Sequence, residues 1–231
     1  MTNKFILAIT LLLFTAGVSY SQKSYRTSDS EMIFSLSEVT NAGNSVDSDL
    51  RWTMFYHTSA FNNHDLNQSL GFFYGVAIRN IGFITRDETI GTEMFSTVKR
   101  RSYTAGLPVG IKIGDLDEGM FIFGGFEYEW LFHYKEKRFL GSEKVDKYTD
   151  WFSKQTNTFL PSVYGGVNLK GDLAVTFKYY LNDFLNRSYR EPVSGLLPYA
   201  DINSRIFYIS ISKKFRYERL KEVVKVQGLS I

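Results

Sequence analysis

Between Ser102 and Ile113 the chain alternates without a break. Tyr103, Ala105, Leu107, Val109, Ile111 and Ile113 make one face, wholly apolar; Ser102, Thr104, Gly106, Pro108, Gly110 and Lys112 make the other, small or polar. Period two places successive side chains on opposite faces of a β-strand. About 9–11 residues is also the length at which a tilted strand crosses a bilayer. The same alternation predicts strands around 32–36, 50–57, 71–79, 121–134, 162–169, 173–182 and 206–215, eight in all with the first. Residues 41–49, 85–98, 137–156 and 185–203 read as long polar connections, whereas 115–119 and 170–172 read as tight turns and 60–69 as a somewhat longer one. Short turns on one side and long loops on the other is the layout of an up-and-down membrane barrel with both termini on the short-turn, periplasmic side.

Residues 1–21 have the form of a secretory signal peptide: Lys4, an apolar stretch from Phe5 to Val18, then Ser19 and Ser21 ahead of Gln22. No later stretch reaches the ~18 apolar residues of a membrane helix. An exported chain of this kind is therefore soluble or a closed barrel, the other fold that leaves no backbone group unpaired in lipid. The expected organisation is a leader at 1–21, a barrel over 22–217 and a periplasmic tail at 218–231, with a short helix over Arg216–Val226.

Period two alone also fits a soluble, lipocalin-like barrel, and volume separates the two. An eight-stranded interior is just wide enough to be filled by side chains or to hold one small ligand. The apolar faces carry Trp52, Phe72, Tyr74, Tyr103, Phe126, Tyr128, Trp130, Phe132, Tyr134, Phe177, Tyr179 and Phe207, drawn from a chain with 20 Phe, 15 Tyr and 3 Trp. That set would overfill the lumen. The other face offers Gly71, Gly75, Gly106, Gly110, Gly125 and Gly166. The apolar face is therefore expected to meet lipid, making the fold all-β: an eight-stranded antiparallel up-and-down transmembrane β-barrel. Trp130, Phe132, Tyr134, Tyr103 and Tyr179 form half of an aromatic girdle at the long-loop level.

Composition removes several kinds of chemistry. The chain has no cysteine, which excludes disulfides, thiolate metal sites, cysteine nucleophiles and lipoprotein anchors, and its net charge of +3 is too small to argue for nucleic acid. There is no HExxH, Walker or GxSxG motif. Asp115, Asp117 and Glu118 read as a polar turn, and His64 and His133 have no evident partners for a metal. His57-Thr58-Ser59 superficially has the His-x-Ser form of a lipid A deacylase, but a strand over 50–57 running downward would leave His57 on the lumen face at the periplasmic end. No cofactor and no metal are expected.

Two sets of charges remain. Arg51, Arg79, Lys112, Lys178 and Lys214 are expected inside the lumen with Glu127 and Glu129, paired because buried charges must be. They would form an ionic plug, or alternatively line a narrow conduit or a ligand site. The turn at 115–119 sets Glu127 opposite Gly106 or Pro108. Lys99, Arg100 and Arg101, with Lys135, Lys137 and Arg138, fall side by side on one hairpin just above the aromatic residues. That is the level of lipopolysaccharide phosphates, and the alternative is a solvated rim.

Gly75-Val-Ala-Ile-Arg-Asn-Ile-Gly-Phe83, Leu107-Pro-Val-Gly-Ile-Lys-Ile-Gly114, the Gly124-Gly125 pair with Lys135-Glu-Lys-Arg-Phe139, and the leader ending at Ser21-Gln22 resemble the small outer-membrane β-barrel proteins of Bacteroidetes, the PorT-like group. The resemblance covers most of residues 30–217 and implies an outer-membrane barrel without assigned chemistry. Many outer-membrane barrels end on an aromatic residue, whereas Phe215 and Tyr217 here are followed by fourteen more residues. The expected function is a non-enzymatic structural or docking component of the cell envelope or of a surface or secretion complex. Its expected partners are outer-membrane lipid, lipopolysaccharide and a possible protein of such a complex. A small-lumen binding or transport barrel is the alternative.

A closed barrel has no edge strand from which to unravel. The mature chain should therefore migrate differently before and after boiling on a semi-native gel. Soluble monomer released from the periplasm without detergent would contradict the fold.

Overall fold

Period-two segments that expose one apolar face can satisfy their backbones in lipid only by pairing on both sides, and this chain does so in a ring. The computed structural model describes residues 23–217; the expected leader and tail, apart from Arg216 and Tyr217, lie outside the described residues. The strands are β1 (Lys23–Asn41), β2 (Asn44–Val46), β3 (Ser48–Asp49), β4 (Arg51–Thr53), β5 (Thr58–Asp65), β6 (Leu70–Ile90), β7 (Glu93–Asp115), β8 (Met120–Leu140), β9 (Glu143–Trp151), β10 (Phe159–Leu169), β11 (Leu173–Tyr180) and β12 (Ile202–Tyr217). Going round, β1, β5, β6, β7, β8, β10, β11 and β12 pair antiparallel with their neighbours, and β12 returns to β1. This is the expected eight-stranded barrel. The second wall strand is supplied in pieces, since β2 and β4 pair with β1 and β3 pairs with β6.

Direction follows the volume argument. Leu107, Val109 and Ile111 are more than half exposed, while Gly106, Pro108, Gly110 and Lys112 between them are buried. The apolar face is the outer face, and the fold is a transmembrane barrel.

The strands are longer than lipid requires. β6, β7 and β8 run 21, 23 and 21 residues. At ~3.3 Å per residue and a tilt of ~40°, they stand roughly 50–55 Å tall, about twice the ~25 Å apolar band of a membrane barrel. The segments 85–98 and 137–156, expected as loops, are instead the paired upper halves of β6–β7 and the hairpin β8–β9. Alternation persists there, with Val98, Arg100 and Ser102 buried inside. Outward positions have become Arg101 and Lys99, so an apolar pattern no longer marks them. The loop expected at 41–49 is also absent. Ala42 and Gly43, with φ of 49° and 83°, make a two-residue hairpin of the kind that requires two positive φ values.

The second wall strand departs most from expectation. The stretch expected at 50–57 leaves the ladder after Thr53, with Tyr56 at φ 64°, and pairing resumes at Thr58 and continues to Asp65, inside the expected turn 60–69. His57 is therefore not at the short-turn end; the whole of β5 lies below it. The break would leave Asn80 on β6 without a partner strand, and two side chains stand in. The Asn80 backbone N–H donates to His57 Nδ1 at 3.2 Å, and Arg51 donates to the Asn80 carbonyl at 3.2 Å and to Asn80 Oδ1 at 2.8 Å. With Nδ1 accepting, the His57 proton is on Nε2, which donates to Thr53 Oγ1 at 3.2 Å.

A β-bulge between Tyr103 and Thr104 on the β7 side places Phe132 as an extra residue on β8. Beyond it the faces exchange. Tyr134, expected in the outer girdle, is buried inside, and His133 meets the Trp151 ring edge-on, centroids 4.6 Å apart. A bulge shifts register by one residue, and that inverts every side chain after it.

His57→Ala should leave a backbone N–H unpaired at membrane depth, costing about 1–3 kcal/mol. The expected result is a lower urea midpoint for unfolding from detergent micelles, with Arg51→Ala similar and both variants still heat-modifiable. An unchanged midpoint in both would mean that water fills the gap.

Candidate functional site

The lumen is closed in layers, with a cavity of about 50 Å³ in its lower half, bordered by Asp29, Arg79, Lys112, Glu127, Lys178 and Lys214. At the short-turn end the Lys112 ammonium lies 2.6 Å from the Asp65 carboxylate as an ion pair and donates to Tyr25 Oη at 2.8 Å and to Asn63 Oδ1 at 3.1 Å. Above it is a buried ionic network. Arg79 bonds Glu31 and Glu127, each at 2.5 Å, and Lys178 bonds Glu127 at 2.6 Å and Glu129 at 2.5 Å. Tyr180 and Thr104 donate to the two Glu129 oxygens at 2.7 and 2.6 Å. Glu127 stands opposite Pro108 and Glu129 opposite Gly106. A Cβ on Gly106 would fall 2.0 Å from Glu127 Oε1, so only glycine leaves room for the carboxylate there.

Of the seven charges expected in this cluster, Arg79, Glu127, Glu129 and Lys178 meet directly. Lys112 forms its own layer. Lys214 has no ion pair among the described residues; its ammonium lies over the Phe121 and Phe123 rings at 5.1 and 4.8 Å from their centroids. Arg51 is not part of the lumen cluster, because its guanidinium is drawn into the wall gap beside Asn80. Glu31 and Asp65 were not anticipated. The signal for Glu31 lies in the chain: Thr27, Asp29, Glu31, Ile33, Ser35 and Ser37 alternate below and through the expected first strand, and all are buried.

The next layer is apolar. Ile33, Ile81, Phe83, Leu131, Leu160, Ile206 and Tyr208 enclose Phe184, Leu185 and Tyr199, which the 181–201 connection folds back into the barrel. A second ionic network caps it. Arg100 grips Glu88 bidentately at 2.6 and 2.8 Å and reaches Glu136 at 2.9 Å, and Glu136 also takes Tyr134 and Arg138, each at 2.6 Å. Two of the six residues expected to face lipopolysaccharide, Arg100 and Arg138, are thus committed to this interior network. Arg100 is at an even position on β7, the parity of Lys112 and Gly106, and so points inward.

The other four lie together outside. Lys99, Lys137 and Lys147 are register partners across β7, β8 and β9, and Arg101, Lys135 and Thr149 form the next row. Below them come Tyr103, His133 and Trp151. Like charges directly opposite on a sheet destabilise it, and these outward rows contain no carboxylate. Partial burial and then the surrounding Arg101, Lys147, Lys137 and Lys144 hold the Lys135 ammonium below the ordinary lysine range; Lys137 is lowered in the same way. Lys147 lies in the expected loop 137–156, which is β9 here, with Lys147, Thr149 and Trp151 alternating on its outer face. The aromatic layer continues through Tyr103–Phe132 and Phe132–Trp151 stacks, centroids 6.3 and 6.1 Å apart, and Trp130 on Phe152 at 5.4 Å.

Among the described residues no group of three or more His, Asp or Glu side chains could hold a metal ion. No family model matches the chain and no curated protein matches it. Similar solved structures include Ail, the attachment invasion locus protein of Yersinia pestis, in complex with the heparin analogue sucrose octasulfate (11% identity, 83% of this chain and 99% of that one, TM-score 0.39). Neisserial surface protein A is 9% identical over 85% of this chain and 100% of that one, TM-score 0.36. The outer membrane protein OprG of Pseudomonas aeruginosa is 10% identical over 83% and 95%, TM-score 0.36. At such scores these similarities carry no argument; the barrel is established by its own strand ladder. The likeness to the Bacteroidetes group rests on the residues quoted for it and assigns no family.

Lys178→Met should cost about 3–5 kcal/mol, because it strands two buried carboxylates. The expected observation is a large fall in the urea midpoint in micelles, partly restored by adding Glu129→Gln. A midpoint within error of wild type would mean the network is hydrated rather than buried.

Proposed function

We propose that the chain is an integral outer-membrane β-barrel with no catalytic chemistry of its own, a structural or docking component of the cell envelope that works through its outer surface. The observation that carries this reading is the blocked bore: above the lower cavity, two ionic networks with an apolar plug between them leave no through-path. On this reading 1–21 is the export leader, the short turns and both termini are periplasmic, and the long hairpins stand outside the cell.

The docking surface is the basic face of β7, β8 and β9. Its cations are Lys99, Arg101, Lys135, Lys137 and Lys147, set directly above Tyr103, Phe132 and Trp151. Aromatic side chains favour the membrane interface, and cations just beyond it reach the lipopolysaccharide phosphates; a guanidinium such as Arg101 can bind phosphate bidentately. Partial desolvation and then mutual repulsion lower Lys135 and Lys137, and a bound polyanion relieves the repulsion. Protonation and phosphate binding are therefore linked. Affinity should be full where these lysines are charged and should fall as pH rises through their depressed values, before an ordinary lysine would deprotonate.

Arg101→Glu with Lys137→Glu and Lys147→Glu should lower co-purified lipid A, measured by mass spectrometry, by several-fold at low and moderate salt. The same protein in planar bilayers should show no steady conductance. Unchanged lipid occupancy would reduce the face to a solvated rim, and stable open channels would overturn the structural reading.

A further inference from the structure

The outer wall is apolar over the membrane band on six of its eight strands, but not across the lower half of β1 and the whole of β5. Outward positions there are Ser24, Arg26, Ser28 and Ser30 on β1, and Thr58, Ala60, Asn62 and His64 on β5. Only Ala60 is apolar. These residues are not below the membrane. Thr58, Ala60, Asn62 and His64 are the direct ladder partners of Ile78, Val76, Tyr74 and Phe72, the apolar row of β6. The polar groups bond partly among themselves: Ser24 with His64 Nδ1 at 2.9 Å, Arg26 with Asn62 at 3.2 Å and Ser28 with Tyr217 at 3.0 Å. Hydroxyls and carboxamides retain further donor and acceptor capacity, and hydrocarbon offers them no partner.

We infer that this polar seam is the contact between two copies of the chain in the membrane. Three observations favour a second copy. First, Ser, Thr and Asn are both donors and acceptors, so the seam complements itself, as a two-fold contact requires. Its cations Arg26 and Lys213 are already held, by Asn62 and by the Gly171 carbonyl, and no outward carboxylate calls for a differently charged partner. Second, the shape suits two convex walls. Ser28 and Ala60 are register partners at the centre, with Phe215 beyond Ser28 and Val76 beyond Ala60. Small residues let two cylinders approach along their line of contact. The larger flanking side chains, with Tyr217 and Tyr74, fill the space where the walls curve apart. Third, the extent is sufficient. Four strands ~4.8 Å apart over about 25 Å of height give roughly 500 Å² per copy, near the ~1,000 Å² total at which specific interfaces begin.

The chain contains no cysteine, so a single introduced thiol reports one position. The full-length chain carrying Ala60→Cys or Ser28→Cys, oxidised with copper phenanthroline in isolated outer membranes, should give a disulfide-linked dimer. Val163→Cys, outward on β10 across the barrel, should stay monomeric. Joint Ser28→Leu and Asn62→Leu substitution should abolish dimer recovered in mild detergent while leaving the heat shift of the monomer intact. Equal cross-linking at residues 60 and 163 would overturn the inference, as would Ala60→Cys linking only to a different protein. So would a thiol at residue 60 that reacts with maleimide only after removal of the residues following Tyr217, because the occupant would then be the chain's own end.

Discussion

A polypeptide in hydrocarbon has no water to fall back on, and every N–H and C=O at that depth must find a partner within the protein. The ring of eight strands is the response, and the value of the constraint is clearest where the ring fails. Between Thr53 and Thr58 the second wall strand leaves the ladder, and the Asn80 backbone is met by an imidazole and a guanidinium in place of a strand. Arg51 thereby loses the lumen role its alternation suggested. His57, which resembled half of a hydrolytic pair, is engaged at both nitrogens. A side chain holding an orphan backbone N–H is a poor general base, because its acceptor nitrogen is taken.

Turning the apolar face outward fixes the interior. What remains for the lumen is the polar face of every strand, and a barrel this narrow cannot keep those groups hydrated, so they pair with one another. Arg79 spans Glu31 and Glu127, and Lys178 spans Glu127 and Glu129, with Glu127 shared and Glu129 further bonded to Tyr180 and Thr104. Such a network is weak evidence for stability, because desolvation offsets most of the attraction. Its stronger effect is on register. Slipping β8 by one residue would carry Glu127 and Glu129 into lipid and bring Phe126 and Tyr128 onto Gly106 and Pro108. The charges thus select one pairing among those the alternation allows.

What was legible in the chain follows from what each environment demands. Lipid demands an apolar residue at every second position, so the membrane halves of β7, β8, β11 and β12 were plain. Water demands nothing of an outward residue, and the upper halves of β6 to β9 went unread as strand, together with the third lysine of the basic row. β5 was invisible for the opposite reason: it crosses the lipid band with polar groups outward. The bulge at Phe132 was equally hidden, and it alone moves Tyr134 from the girdle into the interior. In the basic cluster, composition identified the hairpin but not the faces. Lys99 and Arg101 flank Arg100 in sequence, yet parity sends the two outward and the third to Glu88 and Glu136.

The outer surface is where the proposed role would be exercised. The apolar plug around Phe184, Leu185 and Tyr199 separates the two interior ionic networks and blocks the bore between them. The exterior divides into three: an apolar band, a basic face above it, and a polar seam at a depth where polar groups are costly. A barrel needing only to stay in the membrane would have no use for the last two, since Val or Leu at Ser28 and Asn62 would serve the lipid better, and alternating charge at Lys99, Lys137 and Lys147 would serve the sheet better. Both departures run against the stability of the isolated barrel, and both become favourable once a phosphate surface or a second wall is present. It is these departures from what the fold alone would select that carry the two proposals.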